Sequence, residues 1–122
     1  MELEHRDVTE AIIGAAFEVH RILGYGFLEK VYQCAMKVEL EQRGFKSPIE
    51  VPVDVYYKGS KVGFYEADML VSDSVIVEFK VAKSYMTEDE AQLLNELKAT
   101  GIKVGLLINF GRAKVEFRRM VF

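Results

Sequence analysis

Cysteine is almost missing from this chain of 122 residues. Cys34 stands alone, which excludes an intramolecular disulfide, a cysteine-built zinc site and a four-cysteine iron–sulfur cluster. Cys34 lies within a helix with no activating partner and reads as a small packing residue. Proline is nearly as scarce, with two residues, and no low-complexity tract is present, so disorder is excluded. No apolar run approaches the ~20 residues that span a bilayer, and no membrane association is expected. The start, Met-Glu-Leu-Glu-His-Arg-Asp, lacks a cationic segment followed by an apolar one. No secretory signal is therefore expected, and the cytoplasm is the simplest location. No phosphate-binding glycine loop, dinucleotide fingerprint or Ser–His–Asp pattern occurs.

What is present is the balance of one folded unit. Half of the chain is apolar and 29% is charged, and neither linker nor internal repeat divides it. One domain covering residues 1–122 is expected. The net charge of −3 argues against a general nucleic-acid coat, but the charge is uneven. From Lys98 onward, Lys98, Lys103, Arg112, Lys114, Arg118 and Arg119 face a single acid, Glu116. This basic end suits either a phosphate backbone or an edge strand guarded by cations.

Periodicity divides the chain into eight elements. Asp7-Val-Thr-Glu10 reads as a capping box opening a helix through Ile12, Ala15, Ala16, Val19 and Leu23, which stops at Gly24. A second helix follows Gly26, with Leu28, Val31, Ala35 and Val38 as its apolar stripe and Gly44 at its end. The period then changes to two, with Val51, Val53, Val55 and Tyr57 alternating with polar residues up to a turn at Lys58-Gly59-Ser60. Strands over 61–71 and 75–81 are joined through Ser72-Asp73-Ser74. A capping box at Thr87–Glu90 opens a third helix through Leu94 and Leu97 to Gly101. Val104–Ile108 is apolar throughout, as a strand buried on both faces requires. A last hairpin through Gly111-Arg112 leads to a strand over 114–120. The order α-α-β-β-β-α-β-β predicts a mixed five-stranded α/β sheet with helices packed on it and one parallel crossover.

The chemistry concentrates between Glu66 and Lys80. A three-residue turn sets Val71 against Val75, Asp68 against Glu78 and Glu66 against Lys80, with all four charged side chains on one face. The opposite face holds Ala67, Met69, Val71, Val75, Val77, Phe79 and Val81 as core. Carboxylates facing each other across a strand pair repel. A divalent cation such as Mg²⁺, which takes oxygen ligands, offsets that repulsion. Lys80 would then orient or deprotonate a water, or stabilise developing charge. The same charges also suit the wet face of an antiparallel hairpin, with Lys80 in an ordinary surface ion pair. Against that, Val62, Phe64, Leu70 and Ile76 share the charged face, as around a partly covered pocket. Glu29, in the first turn of the second helix, is either a dipole partner or a third carboxylate aimed at the metal, with Tyr32 one turn on. Gln92 lies early in the third helix. His20, isolated near the end of the first helix, reads as structural.

The run His20-Arg-Ile-Leu-Gly-Tyr-Gly-Phe-Leu-Glu-Lys-Val-Tyr32 resembles the signature of the GxxExxY protein family, with Gly26, Glu29 and Tyr32 at the named positions. Ala67-Asp68, Glu78-Phe-Lys80, Ala91-Gln-Leu-Leu-Asn95 and Leu107-Ile-Asn-Phe-Gly111 resemble its later blocks, in order, over about residues 6–122. The resemblance implies a PD-(D/E)xK nuclease-like domain with a restriction-endonuclease-like core. It implies Asp68 and Glu78 as ligands of Mg²⁺ or Mn²⁺, Lys80 as catalytic lysine and Glu29 as the helix-borne acid completing the site. Gln92 matches the helix glutamine of exonuclease-like branches, where a tyrosine follows four residues later. Position 96 here is Glu. The implied activity is metal-dependent hydrolysis of DNA or RNA phosphodiesters. A net-acidic chain with so few cations should bind nucleic acid weakly alone, so a homodimer or partner subunit is expected. The alternative is a non-catalytic nucleic-acid-binding or protein-interaction module on the same fold.

Overall fold

The computed structural model describes residues 5–83 and 87–122. The elements run α1 (Arg6–Leu23), α2 (Glu29–Gln42), β1 (Ile49–Tyr57), β2 (Ser60–Val71), β3 (Val75–Lys80), α3 (Thr87–Thr100), β4 (Val104–Asn109) and β5 (Glu116–Val121). The expected order is found, and the strands lie in chain order, β1-β2-β3-β4-β5, in one sheet. Among the described strands, β3 and β4 alone pair in parallel, with α3 between them in the chain. The other neighbours are antiparallel. Among the described residues no helix is long and apolar enough to cross a membrane.

Helices cover both faces. Ile12, Ala15, Ala16 and Val19 of α1 and Tyr32, Met36 and Leu40 of α2 pack on Met69, Val71, Val75, Val77 and Phe79. Leu93 and Leu97 of α3 pack on Val53, Ala67, Ile76 and Leu107. All six residues of β4 are buried, because this inner strand has helices above and below it. Gly105 lies close under α3. A Cβ there would stand 2.8 Å from Leu93.

Several local expectations change. Helix α1 begins at Arg6, so Asp7 sits in its first turn and no side chain caps it. Thr9 instead donates its hydroxyl hydrogen to the Arg6 carbonyl. Helix α3 begins at Thr87 itself, and the residue before it lies outside the described ones. The buried face of α2 is not the Leu28/Val31/Ala35/Val38 stripe. Leu28, Val31 and Val38 are exposed, while Tyr32, Gln33, Met36 and Leu40 are buried. Both sets have helical spacing. The choice falls to Tyr32 because its ring stacks on Phe110 at 4.6 Å and its hydroxyl has a partner inside. Cys34 is exposed rather than packed.

The face of β2 also switches part-way. Ala67 and Leu70 belong with the α3 side, Met69 and Val71 with the α1/α2 side. Strict alternation would have placed Ala67 with Met69, as the sequence led one to expect. The neighbouring strand breaks at the same level. Glu50, with φ 54°, lies between the pairs Ile49↔Met69 and Val51↔Ala67, and a left-handed residue inside a strand bends it. This shared kink is centred on Asp68.

Candidate metal-binding active site

The turn behaves as expected, with Ser72 and Asp73 both at positive φ. Val71↔Val75, Leu70↔Ile76 and Met69↔Val77 pair in the predicted register. The ladder then stops, and Asp68 and Glu78 do not form the next backbone pair. The strands part at the kink, and the carboxylates take over the freed donors. The Asp68 N–H donates to Glu78 Oε2 at 3.1 Å, and the Phe79 N–H donates to Asp68 Oδ2 at 2.8 Å. Each strand is thus held by the other's acid. Gln33 of α2 adds a clamp, donating Nε2–H to the Asp68 carbonyl at 2.9 Å.

Glu78 is 3% exposed, and its Oε2 has the Asp68 N–H as donor. Burial, then the hydrogen bond to Glu96, then the charges of Asp68 and Glu96 push Glu78 up to about 10. Burial likewise raises Asp68, against the Phe79 N–H and the Lys80 ammonium, which pull it down. Burial raises Glu96. These are carboxyl groups crowded without enough positive charge, the condition a bound cation relieves.

Lys80 does not face Glu66. Glu66 lies exposed across from Pro52 in β1, and the Lys80 ammonium meets Asp89 of α3 at 3.4 Å. Burial alone would lower Lys80, but Asp89, Glu29 and Glu78 carry it above its ordinary value, so it stays charged. Val62 and Phe64 are 62% and 67% exposed and do not shelter the acids. Leu70 and Ile76 pack beneath α3 instead.

Glu29 is brought to the site by the Gly24–Leu28 loop. Tyr32 donates its hydroxyl hydrogen to the Gly24 carbonyl at 2.7 Å and accepts from the Phe27 N–H at 3.3 Å, which sets where α2 starts. Burial raises Glu29, and the Lys80 ammonium pulls it down, with Asp68 and Asp89 adding to the rise. A cavity of about 290 Å³ lined by Glu29, Lys30, Gln33, Glu50, Glu66 and Asp68 opens beside it, with Lys30 and Glu50 ion-paired at its rim. A larger hollow of about 480 Å³ lies between β1 and α3, lined by Val55, Tyr56, Tyr65, Asn95, Lys98 and Ala99. No carboxylate lines it. Gln92 donates to Glu96 Oε2 at 3.2 Å and so lies beside the acids.

The end of β3 is fixed from β4. Asn109 is buried, accepts from the Ala82 and Gly111 N–H groups and donates to the Ala82 carbonyl, while the Phe110 N–H donates to the Lys80 carbonyl. Gly111 has no room for a side chain, since a Cβ would stand 2.5 Å from the Val81 carbonyl carbon. Gly111→Ala is expected to lower stability by roughly 1–3 kcal/mol through overpacking. The check is a urea or thermal melt. His20 reaches the same loop, with Nε2 2.8 Å from the Arg112 carbonyl oxygen, which is the structural use expected of it. Of the basic end, Arg112 pairs with Glu116 and Arg118 with Glu90. The latter ties edge strand β5 to α3.

The structure therefore brings Asp68, Glu78, Lys80, Glu29 and Gln92 into one neighbourhood. Gln33 and Asp89 were not singled out from the sequence, where each reads as an ordinary polar helix residue, and Glu96 was noted there only as standing where exonuclease-like branches have a tyrosine. Among the described residues no three His, Cys, Asp or Glu side chains are gathered as a ready-made metal-holding group. The donors still fit a hard cation. Asp68 and Glu78 are a two-carboxylate pair, the set Mg²⁺ commonly uses with waters and phosphates, and the crowding of buried acids calls for positive charge.

No curated protein matches the chain. Its backbone is similar to the crystal structure of SSO0001, with TM-score 0.62 and 16% identity over 94% of this chain and 57% of that one. The chain thus spans little more than half of that protein, and the likeness is one of fold. The sequence pattern of the PD-(D/E)XK nuclease superfamily matches residues 6–120, so the chain belongs to the PD-(D/E)XK nuclease superfamily.

Proposed function

We propose that this protein is a divalent-cation-dependent nuclease of the GxxExxY type that hydrolyses phosphodiester bonds of DNA or RNA. The observation that carries the reading is the placement of Asp68 and Glu78 at the point where β2 and β3 part, with the Lys80 ammonium and the Glu29 carboxyl group alongside. Asp68 and Glu78 would hold Mg²⁺ or Mn²⁺, with Glu29 approaching from α2. When bound, the ion neutralises charge on the scissile phosphate and eases loss of a proton from the attacking water.

Lys80 has a defined part in this. Beside the proposed ligands, Lys80 would orient or deprotonate the attacking water, or place a positive charge beside the phosphate as negative charge develops there. Asp89 holds the ammonium in place from α3. Gln92 would act in the same cluster, next to Glu96. The cations of the C-terminal end would hold the phosphate backbone without regard to sequence, with affinity that falls as salt rises. A second copy or a partner subunit would supply the rest of the affinity.

The test is cleavage of circular and linear DNA and RNA with Mn²⁺ or Mg²⁺, comparing the wild type with Lys80→Ala. Loss of one preorganised charge is expected to slow cleavage by about 10²–10³-fold. Equal cleavage by the variant would end this assignment. The alternative, a non-catalytic module on the nuclease fold, draws on the present arrangement, in which Asp68 and Glu78 each bond to backbone. It predicts nucleic-acid or protein binding with no cleavage under any of these conditions.

A further inference from the structure

The hollow of about 480 Å³ between β1 and α3 has a lining unlike that of the acid-lined site. It offers two aromatic rings, Tyr56 and Tyr65, one amide, Asn95, and one ammonium, Lys98. Its size is that of a small-molecule site, roughly 300–1,000 Å³. Tyr56 is 62% exposed, so a large ring stands open on the edge strand. Asn95 donates Nδ2–H to the Tyr65 hydroxyl oxygen at 3.4 Å. That leaves the Asn95 side-chain oxygen as an acceptor and the Tyr65 O–H as a donor for a guest. Lys98 is exposed and pairs with no described acid. Asp54, beside Val55 in β1, is paired with Lys61 at 3.2 Å instead. The strand repeats the pattern of ring and cation at its next residue. Tyr57 is 63% exposed, with the Lys58 ammonium 5.5 Å from its ring centroid. A ring to stack on, an amide with an open edge and a cation, with no acid among them, match the base face, base edge and phosphate of an unpaired nucleotide. The hollow is also in line with the acids. Gln92 lies beside Glu96, and Asn95 and Lys98 follow it at steps of three along the same helix. From Gln92 to Lys98 is about 9 Å along the axis of α3.

We propose that this hollow is a nucleotide subsite for single-stranded nucleic acid: Tyr56 stacks on an unpaired base, Asn95 and Tyr65 hydrogen-bond its edge, and Lys98 meets a phosphate of the same strand. A base inside a duplex has its faces covered by its neighbours and its edge already paired, so the hollow selects single strands. The inference deepens the nuclease reading and rests on it for the fate of the strand, which runs from here along α3 toward the acids.

Fluorescence anisotropy of end-labelled oligonucleotides, with a chelator present so that nothing is cut, tests it without reference to cleavage. A single strand is expected to bind at least about tenfold more tightly than the duplex of the same sequence at equal salt. Tyr56→Leu is expected to lower single-strand affinity roughly 5–100-fold, and Tyr56→Phe, which keeps the ring, to stay within about twofold of wild type. Lys98→Gln is expected to reduce the slope of log affinity against log salt by about 0.7. Both side chains are exposed, so the variants should fold, and circular dichroism checks that they do. Wild-type affinity in Tyr56→Leu, or an unchanged salt slope in Lys98→Gln, overturns the proposal. So does duplex bound as tightly as single strand. A wild type that sediments as a dimer and becomes monomeric in Tyr56→Leu also overturns it, because the hollow is then an interface between copies of this chain. Absence of both nucleic-acid binding and cleavage overturns this inference and the nuclease reading together. Single-strand binding through Tyr56 and Lys98 with no cleavage once Mn²⁺ is added ends the nuclease reading and keeps the subsite. Cleavage by the wild type, with binding indifferent to Tyr56 and Lys98, ends the subsite alone.

Discussion

Asp68→Asn is expected to lower metal-dependent cleavage by on the order of a thousandfold while leaving a folded protein. Metal-assisted steps contribute several kcal/mol, and each 1.4 kcal/mol is a tenfold rate change. The substitution removes one of the two strand-borne carboxylates and halves the proposed ligand pair. It keeps the side-chain oxygen that can accept the Phe79 N–H, now held at 2.8 Å, so the kink between β2 and β3 survives. The Gln33 clamp on the Asp68 carbonyl is backbone and is unaffected. Steady-state cleavage against Mn²⁺ concentration checks the rate, and circular dichroism checks the fold. Full activity in Asp68→Asn would remove these strands from the chemistry altogether.

In the absence of divalent ions the protein is expected to lose stability as pH rises. Glu78 has an ordinary value of 4.5 and stands at about 10 in the folded chain, raised first by burial and then by its hydrogen bond to Glu96. Between these two values the folded form holds a proton that the unfolded form has released. An acid raised in this way contributes full stability below about 4.5, and the contribution is lost as pH climbs toward about 10. The slope for one such proton is up to about 1.4 kcal/mol per pH unit. In a domain of this size that is roughly 4 °C of Tm per unit. Asp68, Glu96 and Glu29 are raised as well and act in the same direction. Thermal melts from pH 5 to 9 in a chelating buffer are expected to fall steadily, and Glu78→Gln, which cannot ionise, should flatten the curve. Saturating Mn²⁺ should reverse part of the slope, because the ligand stabilises the form it binds. A wild-type Tm that is flat or rising over this range would show that Glu78 ionises freely in the folded chain.

The legible and illegible parts of the site divide along a physical line. Asp68, Glu78 and Lys80 could be picked out because a three-residue turn and a period of two determine which residues come level, and the observed register of the last three pairs agrees. What happens at the next pair could not be read. The kink at Glu50 and Asp68 depends on one left-handed residue in the neighbouring strand, and it turns a presumed facing pair into two carboxylates that each bond the opposite backbone. Glu66 failed as a partner for Lys80 for the same reason: once the strands part, Lys80 finds Asp89, on a helix that sequence places no nearer than any other. Tyr32 was noted for its spacing from Glu29, but its role in setting the loop before α2 is visible only through the hydroxyl bonded to Gly24.

Sequence alone determined the eight elements and their order, the parallel crossover through α3, the buried inner strand β4 and the residue types able to hold a hard cation. These follow from periodicities and turn chemistry that act between near neighbours. The tertiary structure decided which face of α2 goes inward, where β2 changes sides and which helix acid meets the strand lysine. Those outcomes depend on how layers settle against one another, as when Asp89 of α3 comes to lie against Lys80 of β3. No local pattern encodes that, because contacts between layers are selected by packing and by the cost of leaving buried polar groups unpaired.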